Sequence, residues 1–103
     1  MTTMTADHVW DTDQTLLCER LAERLRDRGF AHPVAAAVAL AVRGNLGCDQ
    51  PAFAARLGLA VDVVEAIDRG AVALADLPPV LVLRARHALH LDLDHLAVVE
   101  REP

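Results

Sequence analysis

Residues 50–70 read Gln-Pro-Ala-Phe-Ala-Ala-Arg-Leu-Gly-Leu-Ala-Val-Asp-Val-Val-Glu-Ala-Ile-Asp-Arg-Gly. The pattern predicts two short helices joined by a tight glycine turn. Asp49 stands just ahead of the first, where a carboxylate can accept from the free N–H groups of the opening turn. That helix runs about Gln50 to Leu57, and Gly58 supplies the backbone conformation that ends it. The second runs about Val61 to Asp68 and stops at Gly70. Ala54 falls where the two must cross, and a larger side chain there would push them apart. Phe53, Leu57, Leu59, Val64 and Ile67 can then share one core.

The flanking sequence extends the same architecture. Pro33 suits the first turn of a helix, where its missing N–H costs nothing. Val34 through Val42 is apolar on every side, so this helix must be surrounded by protein and is the central one. Gly44 and Gly47 end it by Asn45 or Leu46. Upstream, Asp13 can cap a helix of about Gln14 to Arg28. Leu17, Leu21 and Leu25 form its stripe, while Glu19, Arg20, Glu23, Arg24, Arg26, Asp27 and Arg28 occupy the other face. Gly29 stops it. Residues 1–12 are polar and unpatterned and read as a flexible tail, with Trp10 as a packing anchor within it.

Downstream, Ala71 to Ala75 connects. Asp76 is placed to cap a fifth helix reaching about Leu89, with Pro78 and Pro79 tolerated only in its opening turn. Asp92 caps a short last helix, about Leu93 to Val99, and residues 100–103 read as frayed. The expected fold is all-α: one compact domain over residues 13–99, a bundle of about six short helices, with its core in residues 33–96 and an added N-terminal amphipathic helix.

Composition agrees with close-packed helices. Hydrophobic residues make up 53% of the 103-residue chain but aromatics only 3%, so Ala, Leu and Val must build the core. The formal net charge is −5, which sets the overall field against nucleic acid. The basic residues are all Arg, which with the Ala and Val load points to a GC-rich bacterial genome. Residues 1–10 lack a secretory start, and the apolar run Val34 to Val42 is too short to cross a bilayer. The expectation is a soluble cytoplasmic protein with no membrane partner. Cys18 and Cys48 fit no metal or redox spacing and read as small buried thiols in a reducing compartment.

With these residues in place, the stretch from Val34 to Leu96 resembles the phage-repressor (Cro/XRE) helix-turn-helix family. Arg43 and Gly47 match the end of the family's first helix. Gln50, Phe53 and Ala54 match its second, and Leu57 and Gly58 its turn. Leu59, Val64 and Ile67 match the core face of its third. Asp68-Arg69-Gly70 resembles the family's acidic stop, and Ala88-Leu89-His90-Leu91-Asp92 resembles its Ala-Leu-Gly-Val-Ser segment. The resemblance implies a structural ion pair between Arg43 and Asp68. Removing one partner of such a pair, if well buried, costs on the order of 3–5 kcal/mol. If both charges were solvated, the pair would be worth little. The Gly70 to Leu89 segment is longer than the family's by about one helical turn, which points to an extended fifth helix.

The resemblance also implies a face. In DNA-binding relatives the third helix enters the major groove. The matching positions are Ala60, Val61, Asp62, Glu65 and Ala66, none of which carries the paired donors and acceptors that read base edges. Gln50 keeps a residue type the family uses on DNA, and with Arg56 and Arg69 it could touch phosphates. Two readings stay open. In one the chain is a double-stranded DNA-binding transcriptional regulator. In the other the fold is reused as a protein-interaction module, with Val61 and Val63 as the contact and Asp62 and Glu65 as its polar rim. The Gln14 to Arg28 helix is either core or the interface of a homodimer.

Catalytic chemistry has no visible footing. Serine and tyrosine are absent. Gly44 and Gly47 fit no phosphate-cradling fingerprint, and neither cysteine has an identifiable base. His87, His90 and His95 with Asp92 and Asp94 make the one cluster with ligand-like spacing, but Asp92 is better used as a cap and the interleaved Leu89, Leu91 and Leu93 as core. The expectation is a non-enzymatic protein with no metal and no cofactor.

Overall fold

The computed structural model describes the backbone of residues 2–101 and side chains from residue 14 onward. Within it the chain is helical throughout, with no strand. The helices are α1 (Thr2–Asp27), α2 (Pro33–Leu46), α3 (Gln50–Leu57), α4 (Val61–Asp68), α5 (Pro79–Ala88) and α6 (Leu93–Arg101). One 3₁₀ turn, Leu74–Asp76, lies between α4 and α5.

α2 is the centre, as its pattern demands. Pro33, the run Val34 to Ala39 and Val42 are all buried, and α1, α3, α4, α5 and α6 each pack against it. The alanines let neighbouring backbones approach, and the bulk comes from Phe53, Ile67, Leu81 and Leu96, all fully enclosed.

Helix ends follow local chemistry. Asp49 Oδ1 accepts from Ala52 N at 3.0 Å and Asp92 Oδ1 from His95 N at 3.1 Å, so these two of the expected caps form. Gly58 closes α3 at φ 68°, with Leu59 N donating back to Ala54 O at 2.8 Å. Gly70 closes α4 in the same way, through Ala71 N to Ala66 O at 2.9 Å. It has a second constraint: a Cβ there would lie 2.6 Å from the Phe30 ring. His32 N donates to Gly70 O at 3.0 Å, so the α1–α2 loop is fastened to the end of α4.

Several expectations change. α1 begins at Thr2 rather than near Gln14, so residues 2–12 are helical, not an unpatterned tail. No glycine or proline interrupts the sequence before Gly29, and extending an existing helix costs far less than starting one. The side chains of Trp10, as anchor, and Asp13, as cap, lie outside the described residues, as does the fraying expected at Glu102 and Pro103; Glu100 and Arg101 are helical.

The inward face of α1 is rotated from the leucine stripe. Cys18, Ala22 and Leu25 are buried, whereas Leu17 is 58% exposed. The small residues win the interior because α1 lies close against the alanine-rich α2.

Asp76 does not cap α5. It ends the 3₁₀ turn, and Pro78 is the residue ahead of the helix. A residue before proline is pushed to extended backbone. Leu77 (ψ 143°) and Pro78 (ψ 137°) are both extended, so α5 starts at Pro79. The extra length before it becomes the 3₁₀ turn rather than a longer helix.

Candidate functional site

α3 and α4 pack against each other across the turn of Gly58, Leu59 and Ala60. Their mutual placement is fixed from α2. Arg43 Nη1 lies 2.6 Å from Asp68 Oδ2, with the two side chains 23% and 13% exposed. Gln50 Nε2 donates to the same oxygen at 2.7 Å. One carboxylate oxygen thus ties together the last turn of α2, the first residue of α3 and the last of α4. The other, Asp68 Oδ1, is buried without a hydrogen-bond partner. The Arg43–Asp68 pair has the partly buried geometry expected of it. Gln50, expected on a phosphate, has this internal partner instead.

α4 presents its outer surface on a simple rule. At 100° per residue, Asp62, Glu65, Ala66 and Arg69 fall on one side, opposite the buried Val64 and Ile67. Asp62, Glu65 and Arg69 are exposed, and Ala66 is half-buried. Val61 and Val63 are each 39% exposed, but they stand about 160° apart on opposite flanks. They do not make one contact patch rimmed by acids. The order is reversed: the charges hold the centre and the valines the edges. Ala60 is exposed at the helix entrance, where its side chain supplies no cap. Arg56 is exposed on α3. The face therefore offers two carboxylates, one methyl and one guanidinium.

α1 is latched onto the far end of the bundle. His95 Nε2 and Glu19 Oε1 are 2.7 Å apart, and Thr15 Oγ1 accepts from Asp92 N at 3.2 Å. Its buried side packs on α2, which makes this helix part of the core. Leu17 and Leu21 also line an open apolar groove of about 340 Å³ with Ala41, Leu89 and Leu91. Cys18 sits at its edge, its thiol pushed up to about 12 by burial and then by the charge of Glu19.

His87 and His90 are exposed and Asp92 is a cap. Among the described residues no group of three or more His, Cys, Asp or Glu is gathered to hold a metal ion, and no helix is long and apolar enough to cross a membrane.

One further surface carries no motif in the sequence. α5 exposes Leu83 (52%), Arg84, Arg86 and His87 and contains no acid. Its signal was the absence of Asp and Glu from Leu77 to Leu91 in a chain of net charge −5. No family model, curated protein or solved structure matches the chain.

Proposed function

We propose that this chain is a non-catalytic helix-turn-helix regulatory module whose α4 face meets protein rather than DNA bases. The helix-turn-helix assignment is supported by the α3–turn–α4 pair, its Schellman-type closure at Gly58, and the Arg43–Asp68 clasp. It is supported also by His90, the non-glycine residue at positive φ (54°), which stands where the resembling family carries glycine.

The observation that supports a protein partner over DNA is the outer surface of α4. Asp62 and Glu65 occupy its middle, and Gln50 is turned inward onto Asp68. Carboxylates at that position repel phosphate and cannot form the bidentate contacts that read G or A. A second reading, transcriptional regulation by direct binding of double-stranded DNA, draws on the exposed guanidinium groups of Arg56 and Arg69 and on the family resemblance.

Titration with mixed-sequence duplex DNA, followed by anisotropy at low and raised salt, separates the two. A DNA binder displaces counterions, so its affinity falls steeply with salt. The protein-binding reading expects no saturable binding at low salt. Tight, salt-sensitive binding lost on changing Arg56 and Arg69 to Ala would overturn it.

A further inference from the structure

We infer that the α4 face takes the outer face of α5 from a second copy of this chain. This inference rests on the protein-binding reading above and names the partner.

The two faces match in spacing and run opposite in charge. Outward positions on α4 are Asp62, Glu65, Ala66 and Arg69, at i, i+3, i+4 and i+7. Those on α5 are Val80, Leu83, Arg84 and His87, at the same intervals, and they line a shallow groove. Laid antiparallel, the rows fall into register. Asp62 meets His87, Glu65 meets Arg84, and the small Ala66 meets the large exposed Leu83. Arg69 then lies over Val80 with its guanidinium directed toward Asp76, which is exposed just ahead of α5. A parallel arrangement would set the two carboxylates over Val80 and Leu83 and leave Arg84 over Ala66, without an acid opposite it.

Leu83 supplies the apolar anchor, since a side chain 52% exposed at the centre of a basic face has surface to lose to a partner. The methyl of Ala66 leaves room for it. Arg69 can cover Val80 with its aliphatic stem while keeping its charge in water.

The contact joins different surfaces, so a pair of copies still has one α4 face and one α5 face free. Association of this kind continues into chains or rings rather than stopping at a symmetric pair. One helix pair buries less than about 1,000 Å², so the affinity is weak and salt-sensitive.

The test is sedimentation at rising protein concentration and at two salt levels. The proteins are wild type, Asp62→Arg/Glu65→Arg and Arg84→Glu/His87→Glu, each checked for helical content by circular dichroism. Wild type should grow in mass with concentration and shrink with salt. Each double variant alone opposes like charges across the contact and should lose association at least about tenfold. An equimolar mixture of the two variants pairs opposite charges at both kinds of junction and should recover it.

A wild type that stays monomeric at low salt would overturn the proposal. So would variants that associate as wild type does, or a mixture that fails to recover. None of these results would give the protein an affinity for DNA. They would remove the second copy as partner and leave the α4 reading to the DNA titration.

Discussion

Replacing Arg43 with alanine tests the clasp between α2, α3 and α4. In the native protein Asp68 Oδ2 accepts from Arg43 at 2.6 Å and from Gln50 at 2.7 Å, while Oδ1 is buried with no partner. Arg43→Ala leaves a largely enclosed carboxylate with one neutral donor. Removing one partner of a fully buried pair costs about 3–5 kcal/mol, and an exposed pair is worth about 0–1 kcal/mol. Side-chain exposures of 23% and 13% place this pair between those limits but nearer the first. The expected loss is about 2–3 kcal/mol. For a domain of this length that lowers Tm by about 10–20 °C.

Asp68→Ala should cost less. It removes the unpartnered Oδ1 along with the charge, and the freed guanidinium can turn to water. Urea unfolding followed by circular dichroism reads both variants and the double variant, with an unchanged m-value as the check that the reference state is the same. The cycle should return a favourable coupling of about 1–2 kcal/mol between Arg43 and Asp68. A loss under about 0.5 kcal/mol for Arg43→Ala would show that the clasp carries little of the stability. An Asp68→Ala variant less stable than Arg43→Ala would contradict the order expected of the two.

Further expectations follow from backbone and burial. Gly70→Ala should lose at least about 2 kcal/mol more than Gly58→Ala: both hold positive φ, but only at Gly70 does the new methyl meet the Phe30 ring, at 2.6 Å. Equal losses in chemical denaturation would show that the ring yields freely. His90→Gly should stabilise by up to about 1 kcal/mol, because the exposed His90 holds φ 54° at a cost glycine does not bear; a destabilised variant would reveal a contact of the imidazole that outweighs this. Cys18 has its folded pKa raised from 9.0 to about 12, so between those values the unfolded chain carries fewer protons at this group than the folded one. Its contribution is complete below about pH 9 and declines by about 1.4 kcal/mol per pH unit above it. With no lysine or tyrosine in the chain, few other groups obscure this slope. Cys18→Ala should flatten it, and an unaltered slope would contradict the assignment.

The sequence disclosed the skeleton better than the surfaces. α3 and α4 fall on their expected residues because each boundary carries its own chemistry: Asp49 at one end, Gly58 in the middle, Gly70 at the other. α2 was readable from its lack of any polar face. The Arg43–Asp68 pair was implied by resemblance alone, and the third member, Gln50, was expected on a phosphate. Nothing in linear spacing says which carboxylate an amide will find.

The α1 face misled for a related reason. Leucines mark a stripe, but the width of the gap to α2 selects Cys18 and Ala22 for the interior and leaves Leu17 out. At the start of α5, the proline pair outweighed the cap-forming tendency of Asp76. On the outer face of α4, Val61 and Val63 are close in sequence but not in space, because alternate residues on a helix point to nearly opposite sides.

The proposed function rests on Asp62 and Glu65, whose carboxylates set the outer face of α4 against a duplex. The most direct measurement is the DNA affinity of Asp62→Arg/Glu65→Arg beside wild type, with Glu23→Arg/Asp27→Arg on α1 as a control of equal charge change. Reversing the α4 charges alone should confer salt-sensitive duplex binding absent from wild type and control. Wild-type binding as strong as the α4 variant's, or no gain at α4 over the control, would contradict it.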